Sequence, residues 1–356
     1  MNILITGICG FVGSSITREL LSRRNDVKIW GIDNFVRPGS ETNRLDLLRR
    51  GVVLFHGDVR CASDFDQLPD TDWVIDAAAN PSVLIGADGR TSSRQAVENN
   101  LFGTINVLEY CKARKAGLVL LSSSRVYSIT GMQAIPLKET TDSFVFDVNG
   151  AGPPGVSADG LNEDFSTRAP VSLYGATKLA SEAMALEYGY TYNLPVWINR
   201  CGVLAGAGQF GTAEQGIFSY WLHAHSQRRR LGFIGFGGRG LQVRDALHPR
   251  DLTTILLRQM MDTRSVKAGQ MFNIAGGSSN AMSLAQLTAW CNERFGPHPA
   301  ISDTSKRPFD VPWVVLDSTK AQRTFNWRSE MTLPKILDEI AVHVETHPDW
   351  LNMAGA

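Results

Sequence analysis

A doubly wound parallel α/β sheet with a smaller, discontinuous C-terminal lobe is the fold this sequence predicts, and three observations predict it. A short apolar strand, Asn2 to Thr6, runs straight into a glycine-rich turn, Gly7-Ile8-Cys9-Gly10-Phe11-Val12-Gly13, and then into a helical pattern. Apolar strands and amphipathic helices alternate from there to Arg200, as parallel strands joined by crossover helices do. Beyond Gly206 the periodicity becomes irregular until Met271 to Ala275 supplies another apolar strand, as an inserted lobe requires.

Bulk properties exclude several classes. Thirty-five Lys and Arg balance thirty-five Asp and Glu, so no global field recruits nucleic acid or an acidic membrane surface. The one basic run, Arg228-Arg229-Arg230, is short and reads as a solvated face. Cys9, Cys61, Cys111, Cys201 and Cys291 are scattered and odd in number, the usage of reduced thiols and neither a disulfide frame nor a metal site. The chain opens directly on a strand, and no apolar run is long enough to span a bilayer. A soluble cytoplasmic protein is expected.

The first strand, turn and helix make a phosphate cradle. Gly7 permits the turn, Gly10 lets backbone approach a pyrophosphate, Gly13 lets the helix pack on the sheet, and Phe11 and Val12 open the helix. The second strand, Lys28 to Ile32, ends in Asp33-Asn34, with Asp33 twenty residues past Gly13. An acid there accepts hydrogen bonds from an adenosine ribose and repels a 2′-phosphate, which favours NAD over NADP in a Rossmann-type domain. Val52 to Phe55 forms a third strand leading to Asp58-Val59, placed for the adenine amino group and ring. Trp73 to Asp76 forms a fourth, and the small residues Ala77, Ala78 and Ala79 after it let a flat ligand lie against the backbone. Asn100 opens a helix running to about Lys115; Gly117 to Leu121 is a fifth strand, closing on Ser122-Ser123-Ser124-Arg125-Val126-Tyr127.

The long connection 128–172 carries strong breakers around Asn149 to Gly155 and lies directly before Tyr174. It suits either a lid or a subunit contact. Tyr174-Gly175-Ala176-Thr177-Lys178 then starts a helix, with phenol and ammonium one turn apart on one face. A fixed cation so close favours the phenolate, as a base working near neutral pH needs. Pro195 to Asn199 is a sixth strand, ending at Arg200-Cys201. The irregular region carries Gln209, Gln215, Arg244 and Arg307. Asp245 and His248 read as ties between the lobes, and Pro334 to His347 as a final packing helix.

Taken in order, the glycine turn, Asp33, Asp58-Val59, the alanine run, Asn100 with Gly103-Thr104, Ser-x-x-Val-Tyr and Tyr-x-x-x-Lys resemble an extended short-chain dehydrogenase/reductase of the NAD-dependent epimerase/dehydratase kind. The resemblance covers nearly the whole chain. It implies a catalytic set in which Ser123 bonds the reacting sugar oxygen, Tyr174 exchanges its proton and Lys178 holds the nicotinamide ribose. It places Gly7, Gly10, Phe11, Val12, Gly13, Asp33, Asn34, Asp58, Val59, Ala77, Ala78, Ala79, Asn100, Ser122, Arg200 and Cys201 at NAD. It assigns Ser124, Arg125, Gln209, Gln215, Arg244 and Arg307 to a nucleoside diphosphate sugar. Residues 1–205, with a sheet return near 250–276, are then the NAD-binding domain, and 206–249 with 277–356 the substrate lobe.

Three departures narrow the chemistry that the resemblance implies. Dehydratases of this kind carry an Asp-Glu pair where Ser124 and Arg125 stand here, so epimerisation is favoured, with softer likeness to enzymes acting on CDP-linked sugars at C2 and with UDP-sugar 4-epimerases as the alternative. Val203 stands where many relatives have Asn, and Leu173 where most have Pro. Asp33 disfavours a net NADPH-using reductase, and the intact Ser123, Tyr174 and Lys178 disfavour a non-catalytic NAD sensor. A homodimer paired through helices near Thr91–Lys115 and Gly175–Tyr192 is expected.

Overall fold

In the computed structural model, which describes residues 1–87, 89, 91–262 and 270–356, seven parallel strands form one sheet. They are β1 (Asn2–Thr6), β2 (Lys28–Asp33), β3 (Val53–His56), β4 (Trp73–Asp76), β5 (Gly117–Ser123), β6 (Val196–Cys201) and β7 (Gln270–Ile274). Their spatial order is β7-β6-β5-β4-β1-β2-β3. Chain direction across the sheet therefore reverses between β1 and β4, which opens a crevice beyond the strands' carboxyl ends at that point. The central strands are apolar on both faces because both are covered. Ile3, Ile5, Val119 and Phe272 pack into one core layer, Leu4, Val74, Leu118 and Ile198 into the other. Part of the expected sheet return, 263–269, lies outside the described residues; β7 itself pairs in register with β6, Cys201 opposite Ile274.

Helix α1 (Phe11–Arg23) follows the glycine turn. Gly7 has φ +61, and a Cβ there would stand 2.9 Å from the Ala78 Cα; one on Gly13 would stand 2.4 Å from the Gly7 oxygen. Only hydrogen fits at both places, so α1 starts tight against the ends of β1 and β4. Helix α2 (Thr42–Arg49) packs beside α1 and β3. The helix expected over 91–115 is interrupted: Ser93–Val97 passes through a π turn at Glu98–Phe102 before α3 (Gly103–Arg114). Helix α4 (Ser172–Tyr192) begins earlier than the motif suggested and places Tyr174 in its first turn.

A second, four-stranded sheet joins Val203–Leu204, Val243–Leu247, Ala281–Ser283 and Trp313–Val314. Around it pack α5 (Ile217–Ser226), α7 (Leu284–Phe295) and α8 (Leu333–Thr346), while α6 (Pro249–Met261) lies beside α1 on the main sheet. The Asp245 carboxylate accepts the Leu316 N–H, burial holding its pKa up at about 6, and His248 Nε2 meets Glu339 of α8 at 3.1 Å. The chain does not end its helices with α8: a short α9 (Trp350–Met353) turns back, its indole stacked on Phe210 at 5.1 Å. The long 128–172 connection folds into two hairpins, Leu137–Glu139 with Phe144–Phe146 and Val156–Ser157 with Gly160–Leu161. These lie against the second sheet, through Phe144 N–H to the Leu241 oxygen and Phe146 on Trp313. Among the described residues, none from 128 to 172 lines the central cavity, and the connection packs on the second sheet.

Candidate active site

A single continuous cavity of about 1180 Å³ runs from the glycine turn, across the carboxyl ends of the strands, to the second sheet. At one end Gly7, Gly10, Phe11, Val12 and Gly13 face Ala77, Ala78 and Ala79 across it, with Asp33, Asn34 and Val59 beside them. Asp33 is fixed from below: Oδ2 accepts the Cys9 N–H and Oδ1 the Phe35 N–H, both at 2.8 Å. Burial pushes its carboxyl up, and those N–H groups hold it partly back. The bare cradle at Gly7 and Gly13, the alanine wall and an acid at the second strand's end together fit an adenine dinucleotide.

Three residues expected at the cofactor point elsewhere. Arg200 is buried beneath α4 and does not line the cavity, its guanidinium paired with Glu182 at 2.7 Å and lying 5.1 Å from the Tyr127 ring. Its strand neighbour Cys201 lines the cavity instead. Asn100 has no exposed surface. Its amide accepts the Asn80 N–H at 2.8 Å and donates to the Asn80 oxygen and the Thr177 hydroxyl, pinning the alanine wall to α4. The Asp58 carboxylate is taken by Arg60 and by the Asn34 amide, the Arg60 bond above all holding it down at about 2; Val59 and Arg60 reach the cavity in its place. Arg37, Arg60 and Gln242 line the cavity although the sequence reading passed over them. Arg37 donates to the Phe210 oxygen, and Trp350 Nε1 to the Gln209 oxygen at 2.9 Å, so α9 fastens the cavity's rim. Nothing local in the sequence marks Trp350 for this role.

Midway along the cavity, Ser122, Ser123, Ser124, Arg125, Tyr174 and Lys178 line one wall. Close approach of α4 to the turn after β5 makes this possible. A Cβ on Gly175 would stand 2.3 Å from the Arg125 carbonyl oxygen, so glycine is what lets Tyr174 sit beside Ser123. The Arg125 N–H donates to Ser123 Oγ at 3.1 Å, which leaves the Ser123 proton free to point outward. Lys178 is 2 % exposed and donates to the Leu121 oxygen at 3.0 Å, anchoring the ammonium one helical turn from Tyr174. Ser122 is tied back to Glu182. A hydroxyl donor, a phenol and a buried cation on one wall can shuttle a proton to and from a carbinol.

The opposite end is arginine-rich. Arg244, Arg307 and Arg125 line it with Asp310, and Gln209 and Gln215 stand nearby. Arg244 meets Asp310 at 3.2 Å, and burial is the main influence pulling its pKa down. The side-chain amide oxygens of Gln209, Gln215 and Gln242 are buried without a partner among the described residues.

Residues 3–275 match the NAD dependent epimerase/dehydratase family. The chain is 28% identical to CDP-paratose 2-epimerase of Salmonella typhi, over 93% of this chain and all of that one. It is 26% identical to UDP-glucuronate 4-epimerase 2 of Arabidopsis thaliana, over 94% of this chain and 73% of that one. Its fold superposes on the crystal structure of UDP-glucuronic acid 4-epimerase from Bacillus cereus, in complex with UDP-glucuronic acid and NAD, with a TM-score of 0.78 and 23% identity over 97% of this chain and 99% of that one. With a matched family that spans most of the sequence, an extended short-chain dehydrogenase fold and a cradle shaped for the dinucleotide, this chain belongs to the NAD-dependent epimerase/dehydratase family.

Proposed function

We propose that this protein is a nucleotide-sugar epimerase acting by transient oxidation of a sugar carbinol, with a CDP-linked sugar of the paratose/tyvelose type inverted at C2 as its substrate. The carrying observation is that Ser123, Tyr174 and Lys178 share one wall of the cavity that also holds the glycine cradle and the arginine cluster. Bound NAD supplies a reversible hydride acceptor. Tyr174 takes the carbinol's hydroxyl proton, Ser123 donates to the same oxygen as it becomes a carbonyl, and Lys178 stabilises the charge passing through the phenol. The transient keto-sugar then presents its other face to the hydride that bound cofactor would hand back, and Tyr174 returns the proton, so inversion would leave no net redox change. Dehydration is disfavoured because Ser124 and Arg125 occupy the places an acid and base would need. A UDP-sugar 4-epimerase is the second reading, favoured by the UDP-glucuronate relatives.

Residues 206–249 and 277–356 are proposed to carry the nucleoside diphosphate, and 1–205 with β7 the cofactor. Phe102, Leu173, Tyr190 and Tyr192 are exposed on the helices expected to pair two copies, a face a homodimer would cover. No helix among the described residues is long and apolar enough to cross a membrane. The test is a screen of CDP-, UDP-, dTDP- and GDP-sugars for stereochemical inversion without added cofactor. Inversion of a CDP-sugar is expected; failure of the NAD-loaded protein to invert any of them would refute the reading.

A further inference from the structure

The arginine end of the cavity meets the proton-transfer wall at Arg125. Arg125 belongs to the turn that carries Ser123: its N–H bonds that hydroxyl, and its carbonyl is pressed against Gly175, the residue after Tyr174. Its guanidinium extends into the cavity. Among the described residues it makes one hydrogen bond, a long one of 3.4 Å to the Phe309 oxygen. Arg244, by contrast, is occupied by Asp310 and by the Val243 and Val311 oxygens, and Arg307 by the Ala213 oxygen. Arg125 thus has donors to spare.

The surroundings define what those donors take. Burial, then repulsion from Arg244 and Arg307, pull the Arg125 pKa down to about 10, while Asp310 and Tyr174 are near enough to act against this. Arg125, Arg244 and Arg307 cluster around Asp310, with Arg230, Glu214 and Asp303 also lining the cavity, and the guanidinium cluster suits the negative phosphates of a diphosphate ester. A guanidinium offers it paired donors in a fixed fork.

Resting on the epimerase reading, we propose that Arg125 selects the carbon that is oxidised. It draws the sugar-bearing phosphate toward the Ser123–Tyr174 wall, a side chain's length from the phenol. The sugar hangs from that phosphate by its anomeric oxygen. Its C2 hydroxyl, on the next carbon, then meets Tyr174, and the C4 hydroxyl, across the ring, points past it. Arg244 and Arg307 without Arg125 would hold the phosphate farther off and let the ring's distal side reach the phenol. Arg125 is therefore a specificity residue that acts through the placement of phosphate.

The test uses the NAD-loaded full chain with CDP-paratose and UDP-glucuronate, each deuterated at C2 or at C4, and calorimetric binding of CDP. With the wild type, deuterium at C2 should slow inversion and deuterium at C4 should not. Arg125→Gln should weaken CDP binding and raise KM about 10- to 100-fold, the worth of a charge-assisted pair of hydrogen bonds. Arg125→Lys should recover part of this. An isotope effect from C4, or CDP affinity unchanged in an Arg125→Gln protein with a wild-type melting temperature, overturns the proposal. If neither sugar is inverted, the epimerase reading fails on these substrates, and the CDP measurement still decides whether Arg125 holds phosphate.

Discussion

The two ends of the cavity are built by different means. At the glycine end the wall is backbone: strand ends and a helix start brought together because Gly7 and Gly13 have no side chain, with one acid, Asp33, held by N–H groups of its own segment and of the turn. At the arginine end the wall is long side chains from the turn after β5, the second sheet and the 305–310 segment, with buried amide oxygens on Gln209, Gln215 and Gln242 lacking partners among the described residues. A backbone wall is rigid and takes one shape of ligand. A wall of side chains from separate segments can be altered residue by residue without disturbing the sheet. The difference suggests where a cofactor common to a family is held and where substrates can diverge.

The sharpest way to probe this comparison is at the seam. Tyr174→Phe should lower kcat by roughly 10²- to 10⁴-fold, the usual worth of a positioned acid–base. CDP and NAD affinities, read by calorimetry, should remain. Behind the seam, Glu182→Ala leaves Arg200 buried without its carboxylate and should cost about 3–5 kcal/mol of folding stability, measured by denaturant unfolding. A stability near wild type would mean that Arg200 finds water or another partner. At the glycine end alone, Asp33→Ala removes a charged acceptor and should weaken NAD binding by about 1.5–3 kcal/mol without changing CDP affinity. Equal losses for both ligands would erase the distinction between the two ends.

The smallest effect concerns pH. His223 and His343 lie 3.3 Å apart beneath α9; burial, then repulsion from His343 and His347, holds His223 down at about 3, and burial, then His347, holds His343 at about 4 against the pull of Glu339. The folded state therefore binds these protons less readily than the unfolded chain. Their contribution to stability is intact above the ordinary histidine range near pH ~6.5 and is lost as pH falls from there toward 4. His343→Phe should flatten the melting temperature between those limits relative to wild type; an unchanged slope would show that other groups carry it.

How much of this was legible in the sequence depends on the kind of residue. The cradle was legible because glycine spacing and an acid at a fixed distance are local signals. So was the Tyr174–Lys178 pair, set by one helical turn. Errors came where a neighbour faces the other way. Along β6 successive side chains alternate, so Cys201 reaches the cavity and Arg200 the Glu182 side. Successive residues of the π turn at Glu98–Phe102 also point different ways, so Asn99 lines the cavity while Asn100 is sealed against Asn80. Choosing the face needs the sheet order. The Trp350 contact with Phe210 and Gln209 joins segments far apart in sequence, and no local pattern announces it.

The placing of β7 has one more consequence, for synthesis and dissection of the protein. β6 finds its outer neighbour only after the chain has wandered through the second sheet and come back at Gln270. Until then the apolar Val196–Cys201 strand is a bare edge, open to pairing with a stray chain. An excised 1–205 fragment should thus clump on expression, whereas a protein whose middle section folds promptly shields itself.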